Sequence, residues 1–273
     1  MAKIDRLGWA DGMSFTSYGV RVGVRVSDSA LLADVSARLP PGSKPASFQV
    51  VDHLYSLIGS HSKPESKVRR LSLGYWNLLR IARSREFDDV LETFESHVQL
   101  TVAEHAPRRV FVHAGVVGWK DRAILIPGLS HSGKTTLVDQ LIRAGATYYS
   151  DEYAVLDERG RVHPYPRALG MRFPGGLAAK KVRAEEIGAE VGSKPLRVGL
   201  VVSTSYKDGA RWRPKQITRG KGVLELMSNT VSARSQPELA LTVLPAALES
   251  ALILKGVRGE ADEIVSRILE SVG

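Results

Sequence analysis

Residues 123–136 read Ala-Ile-Leu-Ile-Pro-Gly-Leu-Ser-His-Ser-Gly-Lys-Thr-Thr, and the fold turns on them. The apolar run at 123–126 has the length of a buried strand. From Gly128 the chain matches the spacing G-x-x-x-x-G-K-[ST], with Gly133, Lys134 and Thr135 in the fixed places. Leu137, Val138, Leu141 and Ile142 then recur at helical spacing, so the motif has a strand before it and a helix after it. Each residue type answers a chemical need. Glycines let backbone N–H groups wrap phosphate oxygens, Lys134 brings a mobile cation to the terminal phosphates, and the Thr135 hydroxyl suits Mg²⁺. Ser130, His131 and Ser132 fill the loop and Thr136 follows on the helix, so 128–136 is expected to bind a nucleoside triphosphate.

Downstream, a helix is expected from 134 to about 144, with Gly145 as its left-handed stop. Residues 147–156, Thr-Tyr-Tyr-Ser-Asp-Glu-Tyr-Ala-Val-Leu, then read as a β-prone strand carrying Asp151 and Glu152. Adjacent strand residues face opposite ways, so the two carboxylates take different jobs: one faces a reacting phosphate, the other reaches a metal or fixes the strand. In large motor and switch ATPases the acidic strand usually lies much further from the loop. Carboxylates only a helix away suit group transfer, which needs a base near an acceptor hydroxyl and cations on the transferred phosphoryl. Two solvated carboxylates at a strand end remain the plain alternative. Arg167 and Arg172 follow where a guanidinium could clamp phosphate.

Upstream, 110–117 and 123–126 form two strands joined by a turn at Lys120-Asp121, with His113 in the first. Taken together, His113-Ala114, Gly128-x-Ser130-x-x-Gly133-Lys134-Thr135, the Asp151-Glu152 pair and Pro166-Arg167-x-x-x-x-Arg172 resemble the HPr kinase/phosphorylase family and its kinase relatives. That family shares its nucleotide-binding core with phosphoenolpyruvate carboxykinase. The resemblance spans 110–172. It implies an α/β fold with a P-loop kinase core of HPr-kinase type, here at 107–273, preceded by a smaller N-terminal α/β lobe at 1–106. It further implies ATP and Mg²⁺ as cofactors. Lys134 and the loop amides would bind β- and γ-phosphates, Thr135 and Glu152 would serve Mg²⁺, Asp151 would be the base, His113 would orient it, and Arg172 would join the catalytic set. The chain departs from the family at Gly170, where an acidic residue is usual, and at Glu152, which replaces an aspartate. Those departures favour the related kinases, including those near peptide-modification genes, some of which phosphorylate hydroxyls on peptide substrates; the expected acceptor is a Ser or Thr hydroxyl of a protein or peptide. A small-molecule kinase or an impaired nucleotide-binding module are the alternatives.

The remainder is read by periodicity. Residues 14–26 alternate as one half-buried strand, Asp28 caps a helix over 29–39, and 48–58 and 68–81 are strand-rich. Phe87, Val90, Leu91, Phe94 and Val98 place an amphipathic helix at 86–104. His53, His61, His97 and His105 lack metal-ligand spacing and are read as structural. Beyond the core, 173–194 reads as a flap or long loop and 197–206 as a strand with 212–217 pairing back on it. Helices are expected at 223–229, 237–255 and 261–272.

At 273 residues, 43% hydrophobic, the chain can build a large core. It has no cysteine, which excludes disulfides and Cys-bound metal. The absence of a long apolar run or apolar leader argues for a cytoplasmic protein away from membranes. The net charge of +9 is spread over short pairs such as Arg108-Arg109 and Lys180-Lys181, so nucleic acid is not the expected partner. A homo-oligomer is left open.

Overall fold

The computed structural model describes residues 3–59, 71–128, 133–171 and 180–272. They form two units, Met1–Pro107 and Arg108–Gly273, each a mixture of helices and sheet.

The alternation at 14–26 belongs to two strands, not one. β1 (Asp11–Ser17) and β2 (Val20–Val26) form a hairpin, because Tyr18 and Gly19 both take positive φ, 48° and 89°. A two-residue turn of that hand matches strand twist, and it leaves the period-two pattern unbroken across the reversal. Val20, Val22, Val24 and Val26 are buried while Arg21 points out to Asp52 at 2.7 Å. A short 3-10 turn and α1 (Leu32–Ala37) follow, with Asp28 accepting from the Ala30 N–H at 3.0 Å. β3 (Lys44–Ala46), β4 (His53–Ile58), β5 (Ser72–Trp76) and β6 (Leu79–Ser84) complete a sheet of order β3-β1-β2-β4-β5-β6. The expected amphipathic helix is α2 (Phe87–His105), whose Phe87, Val90, Leu91, Phe94, Val98 and Val102 are buried. Each such side chain, taken fully out of water, contributes about 1.5–3 kcal/mol.

Three of the four histidines read as structural meet in this unit. The Trp76 indole N–H donates to His53 Nδ1 (3.2 Å), His53 lies 4.6 Å from the His105 ring, and the Tyr55 hydroxyl joins His97 Nδ1 (2.8 Å) to Thr101 Oγ1 (2.9 Å). Among the described residues no group of three His, Asp or Glu could hold a metal ion. His61 lies outside the described residues.

The second unit is built on β7 (Val110–Trp119) and β8 (Arg122–Pro127), a hairpin turning on Lys120 and Asp121, both at positive φ. α3 (Lys134–Arg143) follows, then β9 (Thr147–Ser150), β10 (Tyr153–Leu156), β11 (Arg161–His163), β12 (Leu169–Met171), β13 (Lys180–Val182), β14 (Leu196–Tyr206) and β15 (Lys215–Gln216). α4 (Arg219–Met227), α5 (Pro237–Ala247), β16 (Leu252–Arg258) and α6 (Val265–Glu270) close the chain. The main sheet runs β11-β10-β7-β8-β14-β16-β15 and curls until β11 also pairs with β14. β8, β14 and β16 are parallel neighbours, so β8 is covered on both faces. Ile124 and Ile126 pack with Leu137, Val138, Leu141, Ile268 and Leu269 on one side. Ala123 and Leu125 pack with Leu226, Val243, Leu244 and Ile253 on the other. That two-sided burial explains the unbroken apolar run at 123–126.

Three expectations are corrected here. Residues 237–255 are not one helix: α5 ends at Ala247 and 252–258 is a strand, placed parallel to β14 by the register Leu200↔Leu252. Residues 212–217 do not pair with β14, since β16 lies between and takes β15 instead. The stretch read as flap or loop contains β13, paired antiparallel to β12, and a 3-10 turn over Ala184–Ile187; residues 172–179 lie outside the described residues. Among the described residues no helix is long and apolar enough to cross a membrane.

Candidate active site

β8 carries the chain to Gly128, whose N–H donates to the His113 carbonyl on β7 at 3.1 Å. The chain returns at Gly133, the N-cap of α3, in the left-handed conformation (φ 81°, ψ 16°). The left-handed backbone favours glycine there, and a Cβ would lie 2.5 Å from Arg258 Nη2, the tip of that side chain. Lys134 opens α3 and its Nζ donates to the Gly128 carbonyl at 2.6 Å, closing the base of the loop. Burial pulls the Lys134 ammonium below its ordinary pKa, while Glu152 and Asp151 push it back up. Ser130, His131 and Ser132 lie outside the described residues, as does Arg172; Thr136 is exposed.

α3 can approach this closely because β7 has Gly115 beneath it: a Cβ there would meet Val138 Cγ2 at 2.5 Å. Helix and acidic segment are thereby brought side by side. The expected strand over 147–156 is in fact two, β9 and β10, both antiparallel to β7 and separated by Asp151-Glu152. Ser150, 1% exposed, makes the break: its hydroxyl accepts from the Glu152 N–H (3.1 Å) and the Tyr153 N–H (3.0 Å). The carboxylates therefore diverge at a bend and not by strand alternation.

Asp151 turns toward the loop. Thr135 Oγ1 donates to its Oδ2 at 3.3 Å, and the Tyr148 hydroxyl, which donates to the Arg167 carbonyl at 2.8 Å, is 3.4 Å from its Oδ1. Burial, then the charge of Glu152, raises the Asp151 carboxyl to about 6, against the pull of Arg167, Thr135 and Tyr148. Glu152 is more exposed and stands 3.6 Å from Arg167 Nη1. His113 is paired across the ladder with Tyr153, their rings 4.8 Å apart. Burial holds His113 below its ordinary pKa; among nearby charges Glu152 raises it and Lys134 lowers it. His113 thus neighbours Glu152, and its backbone N–H is held by the Asn229 carbonyl at 2.7 Å.

The structure therefore brings Gly128, Gly133, Lys134, Thr135, Asp151, Glu152, His113 and Arg167 together. Sequence reasoning missed Ser150, Tyr148, Asn229 and Arg258. The Tyr148-Tyr149-Ser150 run beside two carboxylates was the visible signal for the first two. The positive balance of the chain also lies with this unit: residues 1–107 carry 13 Lys and Arg against 12 Asp and Glu, leaving 25 against 17 in 108–273. A field of that sign attracts polyanions.

Fold and site define a mixed α/β protein in which Lys134 and Thr135, at the start of α3, lie beside the carboxylates Asp151 and Glu152. No family model matches the chain, and no curated protein does. Among solved structures it has a distant likeness to the Hpr(Ser) kinase/phosphatase from Coxiella burnetii, with 15% identity and a TM-score of 0.33. The match covers 60% of this chain and 99% of that one.

Proposed function

We propose that the protein is an ATP- and Mg²⁺-dependent kinase that transfers the γ-phosphoryl group to a Ser or Thr hydroxyl of a protein or peptide. The observation that carries this is the meeting of Lys134, Thr135 and Asp151: the 3.3 Å bond from Thr135 to Asp151 sets a carboxylate beside the first turn of α3, which Lys134 opens. The protein substrate and the Ser/Thr acceptor come from the resemblance of the 110–172 motifs.

Lys134 and the backbone N–H groups at the start of α3 hold the terminal phosphates. The Thr135 hydroxyl and the carboxylates are hard oxygen donors of the kind Mg²⁺ takes, and a divalent cation would offset the repulsion between Glu152 and Asp151. Thr135 and Glu152 would hold that ion, which would neutralise charge on the phosphates. Asp151 accepts the proton of the acceptor hydroxyl as its oxygen attacks the γ-phosphorus, the bond from that phosphorus to the β–γ bridging oxygen breaks and ADP leaves, and Arg167, with Arg172, steadies the charge that develops. His113 orients the acceptor side from β7.

The Thr135 to Asp151 bond also favours a second assignment within the same reaction. Here Asp151 serves the metal, and Glu152, next to His113, takes the proton. Labelled MgATP and host lysate test both. Lys134→Ala should abolish nucleotide binding. In the first assignment Asp151→Asn binds MgATP but transfers nothing, and Glu152→Gln shifts the Mg²⁺ requirement upward; in the second these outcomes exchange. Label entering only small molecules would replace the protein acceptor, and unimpaired transfer by both variants would sink the kinase mechanism.

A further inference from the structure

Arg258 ends β16, far in sequence from the loop, yet it is 2% exposed and lies directly against the loop's exit. Its Nη2 donates to the Gly133 carbonyl (3.0 Å) and its Nη1 to the Gly259 carbonyl (2.9 Å). Its Nε has no hydrogen-bond partner among the described residues. The Tyr206 ring lies 5.6 Å from the guanidinium carbon, and Glu260, whose charge Arg258 feels, accepts a bond from the Tyr206 hydroxyl at 2.8 Å. Burying a guanidinium on two carbonyls, with no carboxylate bonded to it among the described residues, is costly. An anion brought to the loop would repay that cost, and the loop exit is where α3 presents its first backbone N–H groups.

We propose that Arg258 is a positioning residue for the start of α3: it pins the Gly133 carbonyl, turns the Lys134 and Thr135 backbone N–H groups toward a di- or triphosphate, and adds a buried positive charge behind them. This rests on the nucleotide reading of the loop. Two details point the same way. The Gly133 carbonyl is already used by the Leu137 N–H of α3 at 3.2 Å, so Arg258 is a second donor, not a substitute for helix bonding. The guanidinium also occupies the volume a side chain at residue 133 would need, which ties the glycine of the motif to the arginine.

The test measures binding of MgATP, MgADP and adenosine to the full chain by calorimetry, with melting temperatures taken alongside. Arg258→Gln keeps a donor but loses the charge; it should bind MgATP and MgADP roughly tenfold more weakly, with adenosine unchanged. Arg258→Lys keeps the charge but not the fork, and should fall between. A purely structural arginine would instead lower the melting temperature and weaken all three ligands in proportion, and that result would overturn the proposal, as would wild-type affinity in the Gln variant. Should the Gln variant fail to fold, the Lys variant carries the test: wild-type affinity overturns the role of the fork, and a several-fold loss confined to the phosphorylated ligands upholds it. Lys134→Ala separates the two levels of inference. If it loses MgATP while Arg258→Gln does not, Arg258 alone is misassigned; if the unaltered protein binds neither nucleotide, the loop reading falls and this proposal with it.

Discussion

Replacing Asp151 with asparagine should make the metal-free protein more stable, although the residue stands at the centre of the site. In the folded protein its carboxyl is raised from 3.8 to about 6. Below pH 3.8 the group is protonated in both folded and unfolded chains and costs nothing. Between pH 3.8 and about 6 the unfolded chain ionises while the folded one keeps its proton, so stability falls progressively, and above that the folded chain carries the full cost of a buried carboxylate beside Glu152. At about 1.4 kcal/mol per pKa unit, the penalty at pH 7.5 is about 2–3 kcal/mol. Asparagine has the same shape, can still accept from Thr135, and never ionises. In chelator-containing buffer the variant should therefore melt about 4–10 °C higher than the unaltered chain at pH 7.5. The difference should shrink toward zero near pH 4. Scanning calorimetry at four or five pH values reads it directly, and other acidic groups cancel between the two proteins. A variant less stable at pH 7.5, or a gain that does not change with pH, would refute the account of Asp151 as a buried, repelled carboxylate. Added Mg²⁺ should stabilise the unaltered chain more than the variant.

Two other regions offer sharp tests. Gly115→Ala places a Cβ 2.5 Å from Val138 Cγ2, so α3 must shift; a cost of about 1–3 kcal/mol and weaker nucleotide binding are expected, measured by urea unfolding and calorimetry, and an unchanged affinity would show the approach to be slack. In the N-terminal unit, burial holds His53 and His97 below the ordinary imidazole pKa, with His105 also lowering His53 and Asp52 and Glu104 opposing. Folding there favours the neutral rings, so this contribution to stability is complete above about pH 6.5 and is lost as pH falls below it. NMR titration should find both rings below 6.5. A value at or above that for His53 would contradict its packing against Trp76 and His105.

Much of the site was legible because its grammar is local. The glycines, lysine and threonine of the loop sit within eight residues of one another, and the strand and helix around them announce themselves by periodicity. The long helix at Phe87–His105 and the stop at Gly145, with φ of 96°, follow from the same kind of short-range signal. What failed depended on partners distant in the chain or on turns that leave no mark in a pattern. The Tyr18-Gly19 reversal preserves alternation, so one strand and a tight hairpin look alike. Residues 252–258 were absorbed into a helix because a short apolar run fits either period; what makes them a strand is β14, with Leu200 opposite Leu252. Arg258 went unseen for that reason, since its contact with Gly133 spans 125 residues. The break at Asp151-Glu152 was hidden for a subtler one: the strand residues on both sides are real, and only the Ser150 hydroxyl, taking the Glu152 and Tyr153 N–H groups, interrupts them.

The bond from Lys134 Nζ to the Gly128 carbonyl sets an entry threshold for the loop. An anion that takes the ammonium must displace, among its contacts, a neutral oxygen seated at 2.6 Å, so the loss of that bond is subtracted from the affinity gained. A charge-assisted bond to a dense polyphosphate clears that margin easily, whereas a diffuse monoanion barely exceeds what the carbonyl provides. On the proposed nucleotide reading, that resting contact discriminates against weakly held anions.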